Sequence, residues 1–259
     1  MPPQSPSHPP LPPLAELLDR ASVVALPMAS RFRGIEVREA ILLLGPEGWT
    51  EFSPFVEYQD AEASAWLAAA IDFGWRTQAP PLRTSIPVNA TLPAVAPGQV
   101  AAVLDRFPGC RTIKVKVAEH GHSLADDVAR VAAARDYVGL AGRLRVDANG
   151  GWTVTAACDA IRALQPYGLE YVEQPCSTVA ELSELRSKLD GEDVLIAADE
   201  SVRKASDPLA VARAGAADLL VIKAQPLGGI RSAMRIVADA GLAAVVSSAL
   251  ETSVGISMG

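Results

Sequence analysis

Cysteine, aromatic side chains and long apolar runs are all scarce in this chain of 259 residues. The three cysteines, Cys110, Cys158 and Cys176, lie far apart and show neither a pairing pattern nor the spacing of a metal site. This sparse usage favours a reducing cytoplasm over a secreted, disulfide-stabilised protein. Although 49% of the residues are hydrophobic, no apolar run reaches the length of about 18 residues that a membrane span needs. The composition therefore predicts a globular, soluble protein with no membrane partner.

An excess of positive charge is lacking as well. The formal net charge is −7, which argues against a nucleic-acid partner held through phosphate contacts. The first residues, MPPQSPSHPPLPP, contain neither an apolar core nor a basic start. They predict a stiff, disordered leader over residues 1–13 rather than a signal peptide. We therefore expect a cytoplasmic protein, and the sequence does not indicate its oligomeric state.

Residues 14–84 have the pattern of a small α+β domain. A short strand is predicted over Val23–Pro27, and a hairpin joins Ile35–Leu44 to Trp49–Phe52 through the turn Gly45-Pro46-Glu47-Gly48. An alanine-rich segment, Ala61–Phe73, has apolar residues at helical spacing.

From residue 85 onward, short apolar runs alternate with helical segments. The predicted strands are Ile86–Thr91, Thr112–Val117, Arg143–Asp147, Glu170–Glu173, Val194–Asp199, Leu219–Lys223 and Ala243–Ser247. Seven strand-then-helix units indicate a parallel sheet, and that number favours a TIM-type (β/α) barrel over an open sheet. The barrel domain is predicted over residues 85–259. Because Gly259 comes just inside the seventh helix, we expect a barrel that is C-terminally incomplete without an eighth unit.

A polar residue ends six successive predicted strands. These residues are Lys116, Asp147, Glu173, Asp199, Lys223 and Ser247, separated by 31, 26, 26, 24 and 24 positions. Side chains alternate between the two faces of a strand, so Lys114 shares a face with Lys116 while Ile113 and Val115 face the other way. All six terminal groups are therefore expected at the C-terminal mouth of the barrel, where such barrels place their chemistry.

Three of these groups are carboxylates on neighbouring strands. Brought together without compensation they would repel one another, and a hard divalent cation resolves that conflict. Asp147, Glu173 and Asp199 are therefore the predicted ligands of Mg²⁺, with Mn²⁺ as an alternative, and Lys116 and Lys223 are the predicted acid/base groups beside the metal. Asn149, in Asn149-Gly150-Gly151, either supports Asp147 or forms only a turn.

Each signal also has a purely structural interpretation. A single strand-end carboxylate such as Asp199 is most often a helix N-cap, and an isolated Lys-X-Lys is most often a solvated edge strand. His120 and His122 form an H-x-H beside glycine, which we interpret as a solvated loop rather than a metal site. Six polar residues in register favour the catalytic interpretation over chance.

Five segments, in this order, carry a family resemblance: KVKV, RVDANGGW, EQP, ADES and VIKAQPLGG. They resemble the enolase superfamily, in its muconate-lactonizing-enzyme-like branch. The resemblance implies an N-terminal capping domain over a modified (β/α) barrel. It also implies Mg²⁺-assisted removal of a proton next to a substrate carboxylate. One departure is KAQPLGG in place of the more usual Lys-Pro beginning, with the lysine retained.

Within that branch, FRGIEVREAILL, GWTEFSPFVEY and SSALETSVG resemble the o-succinylbenzoate synthases of menaquinone biosynthesis. That family implies a dehydratase that forms o-succinylbenzoate, a carboxylate, through an enediolate. Lys116 would then be the acid/base, and Lys223 would stabilise the anion from the opposite side of the ring. The residues expected to contact substrate are Lys114, Ser247, Ser248 and Glu251.

Three other functions remain open from the sequence. A racemase of N-acylamino acids or an epimerase of dipeptides would use the same residues, with one lysine on each face of the substrate. A metal-free lyase would use Lys116 or Lys223 as a Schiff-base nucleophile. The third is an inactive scaffold that lacks the eighth unit.

Overall fold

The computed structural model describes residues 11–32, 34–203 and 207–259. The chain divides into two compact units. The first comprises Met1–Pro80, Lys223–Ala233 and Ser248–Gly259, and the second comprises Pro81–Ile222 and Met234–Ser247. Residues 1–10 of the predicted leader lie outside the described residues. The domain boundary predicted at residue 84 stays a prediction.

The first unit contains an antiparallel sheet of order β1-β2-β3. Its strands are β1 (Ala21–Phe32), β2 (Ile35–Gly45) and β3 (Gly48–Phe52), and its helices are α1 (Leu14–Asp19), α2 (Asp60–Trp75) and α10 (Ser253–Ile256). The predicted hairpin is confirmed, with Gly45 paired to Gly48. Strand β1 is longer than its apolar residues indicated, because its pairing with β2 extends from Ala21 to Phe32.

Helix α2 packs closely on the sheet of the first unit. A Cβ added to Gly45 would lie 1.9 Å from the carbonyl oxygen of Gly74, so the backbones of β2 and α2 are in contact. Leu17, Leu43 and Ile71 form part of the core beside this contact. A second cluster joins Phe55 edge-to-face with Trp66, their ring centroids 6.0 Å apart. Glycine at position 45 thus allows an approach of the two backbones that any side chain would block.

The second unit contains a seven-stranded parallel sheet of order β10-β9-β8-β7-β6-β5-β4. Its strands are β4 (Ala90–Leu92), β5 (Thr112–Lys116), β6 (Arg143–Asp147), β7 (Leu169–Glu173), β8 (Ile196–Ala198), β9 (Leu219–Ile222) and β10 (Ala243–Val246). The order of the strands along the sheet equals their order in the chain, so the predicted strand-then-helix repetition is confirmed.

Helices follow the strands of this sheet. They are α3 (Val100–Leu104), α4 (Leu124–Val138), α5 (Val154–Leu164), α6 (Val179–Lys188), α7 (Glu200–Arg203), α8 (Ala210–Arg213) and α9 (Ile230–Ala240). Helix α7 is a single turn of four residues, too short to show a helical period in the sequence. Among the described residues, no helix is both long and apolar enough to cross a membrane.

The centre of the parallel sheet is apolar. Val115, Leu144, Val146 and Val172 are fully buried, and the register places them on one face of the sheet. Lys114 and Arg145 are paired with each other on the opposite face, which also carries the polar residues at the strand ends.

Candidate active site

The carboxyl ends of three neighbouring strands bring the site together. Lys116, Asp147 and Glu173 are the last residues of β5, β6 and β7, and the register pairs Lys116 with Asp147 and Asp147 with Glu173. Asp199 directly follows β8. Because strands in parallel register lie about 4.8 Å apart, these side chains are held side by side by the backbone alone.

Two lysine ammonium groups lie among the carboxylates. Nζ of Lys114 is 2.9 Å from Oε1 of Glu173 and 3.1 Å from Oδ2 of Asp147, and so bridges the two. Nζ of Lys116 donates to Oδ2 of Asp147 at 2.6 Å and to Oδ1 of Asn149 at 2.5 Å. The alternate residues, Ile113 among them, are buried. The two lysines therefore point to one polar cluster, while their strand neighbours pack in the core.

Burial and charge act against each other in this cluster. Burial would raise the pKa of Asp147, but the Lys114 and Lys116 ammonium groups outweigh it and lower that pKa to about 2. For Glu173, burial and then the negative charge of Asp147 raise the pKa to about 7 in spite of Lys114. Burial disfavours the charge of Lys114, but Glu173 and Asp147 raise its pKa above the ordinary value. In this cluster Glu173 is thus the carboxyl on which burial and a neighbouring negative charge outweigh the cations.

Asp199 is buried and is held by a different set of groups. Nε of Arg203 donates to its Oδ1 at 3.0 Å, and the side chain of Gln174 accepts from its backbone N–H at 3.0 Å. Gln174 is fully buried, and it also accepts from the N–H of Ser201 at 3.2 Å. Its amide thereby fixes the first turn after β8, from which Asp199 projects. The negative charge of Asp199 acts on both Lys114 and Glu173.

Asn149 lies two residues beyond Asp147 with a positive φ of 46°. Its backbone N–H donates to Oδ1 of Asp147 at 3.1 Å, while its side-chain oxygen accepts from Lys116. The amide group also donates to Oε1 of Glu200 at 3.3 Å. Asn149 therefore touches both a carboxylate and an amine of the cluster.

These residues have the donor set that a hard divalent cation prefers. Within the described parts of the chain, no group of three His, Cys, Asp or Glu side chains is arranged to hold a metal ion as it stands. Cationic side chains lie on the carboxylates instead, with Lys114 on both Asp147 and Glu173, and Arg203 on Asp199. The Lys114 ammonium group thus lies between two buried carboxylates, those of Asp147 and Glu173.

Lys223, Ser248 and Glu251 belong to the first compact unit. Lys223 directly follows β9 and is buried. Burial raises the pKa of Glu251, opposed by backbone N–H groups, one of them that of Ala249, and by the charge of Lys223. Ser247, in the second unit, follows β10, and its N–H donates to the carbonyl oxygen of Ile222 at 2.8 Å.

The first unit contains a cavity of about 210 Å³ beside Glu251. Its lining is formed by Leu26, Pro27, Met28, Arg38, Leu250, Glu251 and Thr252. Arg38 donates to the carbonyl oxygen of Leu250 at 2.9 Å, and Glu51 accepts from the N–H of Thr252 at 3.0 Å. Two buried charged residues of the antiparallel sheet thus hold the segment that carries Glu251.

Several residues that hold the predicted side chains within each unit were missed from the sequence. Gln174 stands next to Glu173 and Arg203 stands four residues after Asp199, so their positions carried a signal that was not used. Arg38 and Glu51 carried none, because the partners that link them to the segment around Glu251 lie about 200 positions away in the chain. His120 and His122 lie in an exposed loop, where Nδ1 of His122 is 2.7 Å from Nη2 of Arg130.

Comparison with known families gives a consistent result. The family described as "Enolase C-terminal domain-like" matches residues 99–256, and "Enolase N-terminal domain-like" matches residues 23–74. The chain belongs to the enolase superfamily. The resemblance stated from KVKV, RVDANGGW, EQP, ADES and VIKAQPLGG is therefore confirmed, and so is the fold class, a modified (β/α) barrel with an N-terminal α+β capping domain.

Individual relatives refine this placement in the superfamily. An o-succinylbenzoate synthase of Mycobacterium tuberculosis (strain ATCC 25618 / H37Rv) is 59% identical over 252 residues, which cover 97% of this chain and 76% of the relative. The L-Ala-D/L-Glu epimerase of Bacillus subtilis is 26% identical, with a TM-score of 0.76 over 92% of this chain and 83% of that one. A dipeptide epimerase of Enterococcus faecalis V583, in complex with Mg and L-Leu-L-Tyr, is 24% identical with a TM-score of 0.70, over 92% of this chain and 84% of the other.

Proposed function

We propose that this superfamily member is an o-succinylbenzoate synthase, a Mg²⁺-dependent carbon–oxygen lyase. It would convert 2-succinyl-6-hydroxy-2,4-cyclohexadiene-1-carboxylate to o-succinylbenzoate and water. The observation that carries this proposal is the cluster of Lys116, Lys114, Asp147 and Glu173 at adjoining strand ends, in a chain so similar to enzymes of that name.

The proposed reaction needs one group that first accepts and then donates a proton. Nζ of Lys116, in its neutral form, removes the proton on the ring carbon that bears the carboxylate, and the electron pair of that C–H bond remains on the substrate as an enediolate. That pair then forms a ring double bond as the C–O bond at the hydroxyl-bearing carbon breaks. The leaving hydroxide takes the proton from Lys116 and departs as water. Atoms and charge balance, and the ring becomes aromatic.

The other named residues would bind and orient the substrate. Lys114 would support the substrate carboxylate, and Lys223 would stabilise the anion through its positive charge. Ser247, Ser248 and Glu251 would line the pocket for the succinyl chain. Holding substrate and base in a fixed geometry accounts for a large share of such rate enhancements.

Asp147, Glu173 and Asp199 would hold the Mg²⁺ ion, with Asn149 supporting Asp147. When bound, the ion supplies positive charge that stabilises the negative charge developing on the substrate carboxylate. The ion would compete with Lys114 for Asp147 and with Arg203 for Asp199, since both side chains contact these carboxylates. Mn²⁺ has similar ligand preferences and is the proposed substitute.

The setting of the reaction follows from the same proposal. An o-succinylbenzoate synthase acts in menaquinone biosynthesis on a small-molecule carboxylate, and we place this one in the cytoplasm. The charge of −7 gives no support to a nucleic-acid partner.

A racemase or epimerase is the second candidate, favoured by the structural similarity to the Bacillus subtilis epimerase. It would use Lys116 and Lys223 to exchange a proton on opposite faces of one carbon. The two candidates share every residue, so only turnover separates them.

In the deciding experiment, the purified chain is given the cyclohexadiene carboxylate and, separately, an N-succinylamino acid, each in the presence of Mg²⁺. We expect an aromatic absorbance from o-succinylbenzoate, and loss of turnover in EDTA. Racemisation of an N-succinylamino acid without dehydration would replace the first candidate by the second. Turnover that survives EDTA and is trapped by borohydride would indicate the Schiff-base lyase, and no turnover with either substrate would indicate an inactive scaffold.

A further inference from the structure

Ala118 lies two residues after Lys116 and has a left-handed backbone conformation, with φ of 59°. Residues other than glycine, asparagine and aspartate are uncommon in this region, because Cβ crowds the following carbonyl oxygen. Such a conformation persists only where the surroundings determine it, and it occurs often at functional sites. The contacts that hold Ala118 therefore indicate what fixes the end of β5.

Asp127 of helix α4 supplies one of these contacts. Its Oδ2 accepts the backbone N–H of Ala118 at 2.9 Å. On the other side, Gly151 leaves just enough room, since a Cβ there would lie 2.9 Å from Cβ of Ala118 and 3.0 Å from its carbonyl oxygen. The alanine is thus enclosed between a buried carboxylate and the glycine pair that follows Asn149.

Arg130 of the same helix contacts the backbone two residues before Ala118, at Lys116. Its Nη1 donates to the carbonyl oxygen of Lys116 at 2.9 Å and to Oδ1 of Asp127 at 2.7 Å. Nε donates to the carbonyl oxygen of Val95 at 2.8 Å, and Nη2 donates to Nδ1 of His122 at 2.7 Å, because a guanidinium group only donates. Asp127 and Arg130 are almost fully buried, with 2% and 1% exposed.

Together the two side chains hold a three-residue segment at both ends. Arg130 binds the carbonyl oxygen of Lys116, and Asp127 binds the N–H of Ala118. They stand three positions apart, on one face of a helix whose N-terminus is closed by a capping box at Ser123. A buried ion pair is weak evidence for stability, since apolar residues of similar volume often serve as well. Its contacts to two specific backbone groups indicate a geometric role instead.

We propose that Asp127 and Arg130 are positioning residues that set the backbone of Lys116, and through it the place of the Lys116 amine among the carboxylates. This inference rests on the proposed function, in which Lys116 is the acid/base, but the geometry itself does not depend on the substrate. A purely structural pair would change stability and leave both the turnover number and the reactivity of Lys116 unchanged.

The first test replaces Asp127 by asparagine, which keeps the size of the side chain and removes its charge. With the folded protein we expect kcat to fall about tenfold or more, since small misplacements of a reacting group have large effects on rate, while KM stays within about twofold. Adding Ala118→Gly should restore most of the lost kcat, because glycine adopts the left-handed conformation without help. Asp126→Asn is the matched control, since Asp126 is exposed and contacts Ser123 rather than Ala118. It should leave kcat unchanged.

A second readout does not need turnover. The rate at which an amine-specific acylating reagent labels Lys116 is followed by peptide mass spectrometry, with the exposed Lys188 as internal reference. Asp127→Asn should change the ratio of the two rates at least about threefold, as expected when a fixed side chain is released. If that variant does not fold, Gly151→Ala is used instead. Its added Cβ would crowd Ala118 from the exposed side, and we expect the labelling ratio of Lys116 to Lys188 to change.

The outcomes separate this inference from the proposed function. Folded Asp127→Asn protein with unchanged kcat and an unchanged labelling ratio would overturn the inference. If the wild-type chain turns over no substrate, the proposed function fails, whereas the labelling ratio still decides whether Asp127 positions Lys116.

Discussion

Nζ of Lys116 lies 2.6 Å from Oδ2 of Asp147, at the ends of two strands that pair these residues in register. A proposed base is thus in direct contact with a proposed metal ligand. Any cation that binds Asp147 competes with this contact, so metal binding and the freedom of the Lys116 amine are coupled.

Mg²⁺ binding should depend on pH through Glu173. Burial and the charge of Asp147 raise the pKa of Glu173 to about 7, so this carboxyl takes up a proton as the pH falls through that value. A metal ion binds the ionised form only, and the apparent affinity should therefore fall about tenfold for each pH unit below the pKa. Calorimetry at pH 8 and pH 6 measures this directly, with uptake of protons by the buffer on binding. Glu173→Gln should abolish the pH dependence along with most of the affinity, and equal affinity of the wild-type protein at both pH values would contradict the assignment.

Lys223→Arg should distinguish the two candidate reactions. Arginine keeps the positive charge but cannot serve as a base near neutral pH. A dehydratase in which Lys223 only stabilises the anion should retain a measurable part of its kcat. A racemase should lose proton abstraction from one stereoisomer by about 10²-fold or more, the size of a lost general base. Turnover of each stereoisomer followed by chiral chromatography gives the answer, and loss of all dehydration would show that Lys223 itself moves a proton.

Thr252 should be important for holding the segment that carries Glu251. Its hydroxyl donates to Oε2 of the buried Glu51 at 2.5 Å and accepts from the N–H of Val254 at 3.1 Å. Thr252→Val keeps the shape and removes both bonds, so we expect a loss of about 1–3 kcal/mol in the free energy of unfolding and a raised KM. Thr252→Ser keeps the hydroxyl and is the matched control. Urea unfolding at constant m-value measures the first effect, and equal midpoints for the two variants would argue against a role of the Glu51 contact.

The contact between β2 and α2 should tolerate no side chain at Gly45. A Cβ there would lie 1.9 Å from the carbonyl oxygen of Gly74, and backbone cannot move aside as a flexible side chain can. Gly45→Ala should therefore destabilise the protein by about 3 kcal/mol or more, at the upper end of the range for single substitutions. Gly98→Ala meets open space and serves as the control. A melting temperature equal to that of the control would show that the two backbones separate at little cost.

The alternation of side chains in TIKVK was enough to predict which of its residues are buried, because a strand has a strict period of two. Strand order followed from the repetition of strand and helix, and the fold class followed from both. The bridging of Asp147 and Glu173 by Lys114 could not be predicted in the same way, since it depends on the reach of one side chain across three paired strands.

Contacts between distant parts of the chain explain most of what the sequence did not indicate. Thr252 and Gly255, whose N–H groups Glu51 accepts, lie 201 and 204 positions away from it, and nothing in the local pattern around GWTEF points to them. The left-handed conformation of Ala118 was equally hidden, because alanine has no preference for it and only Asp127 and Gly151 explain it. Gln174 and Arg203 could have been predicted from the sequence, since each stands close to a carboxylate that was predicted as a metal ligand.

The most direct test of the central claim is the rate of o-succinylbenzoate formation by Lys116→Gln in saturating Mg²⁺, with Mg²⁺ binding measured on the same sample. If Lys116 moves the proton, kcat should fall by at least about 10²–10⁴-fold while the ion still binds, because Asp147, Glu173 and Asp199 are untouched. A variant that binds Mg²⁺ and forms the aromatic product at the wild-type rate would contradict this account.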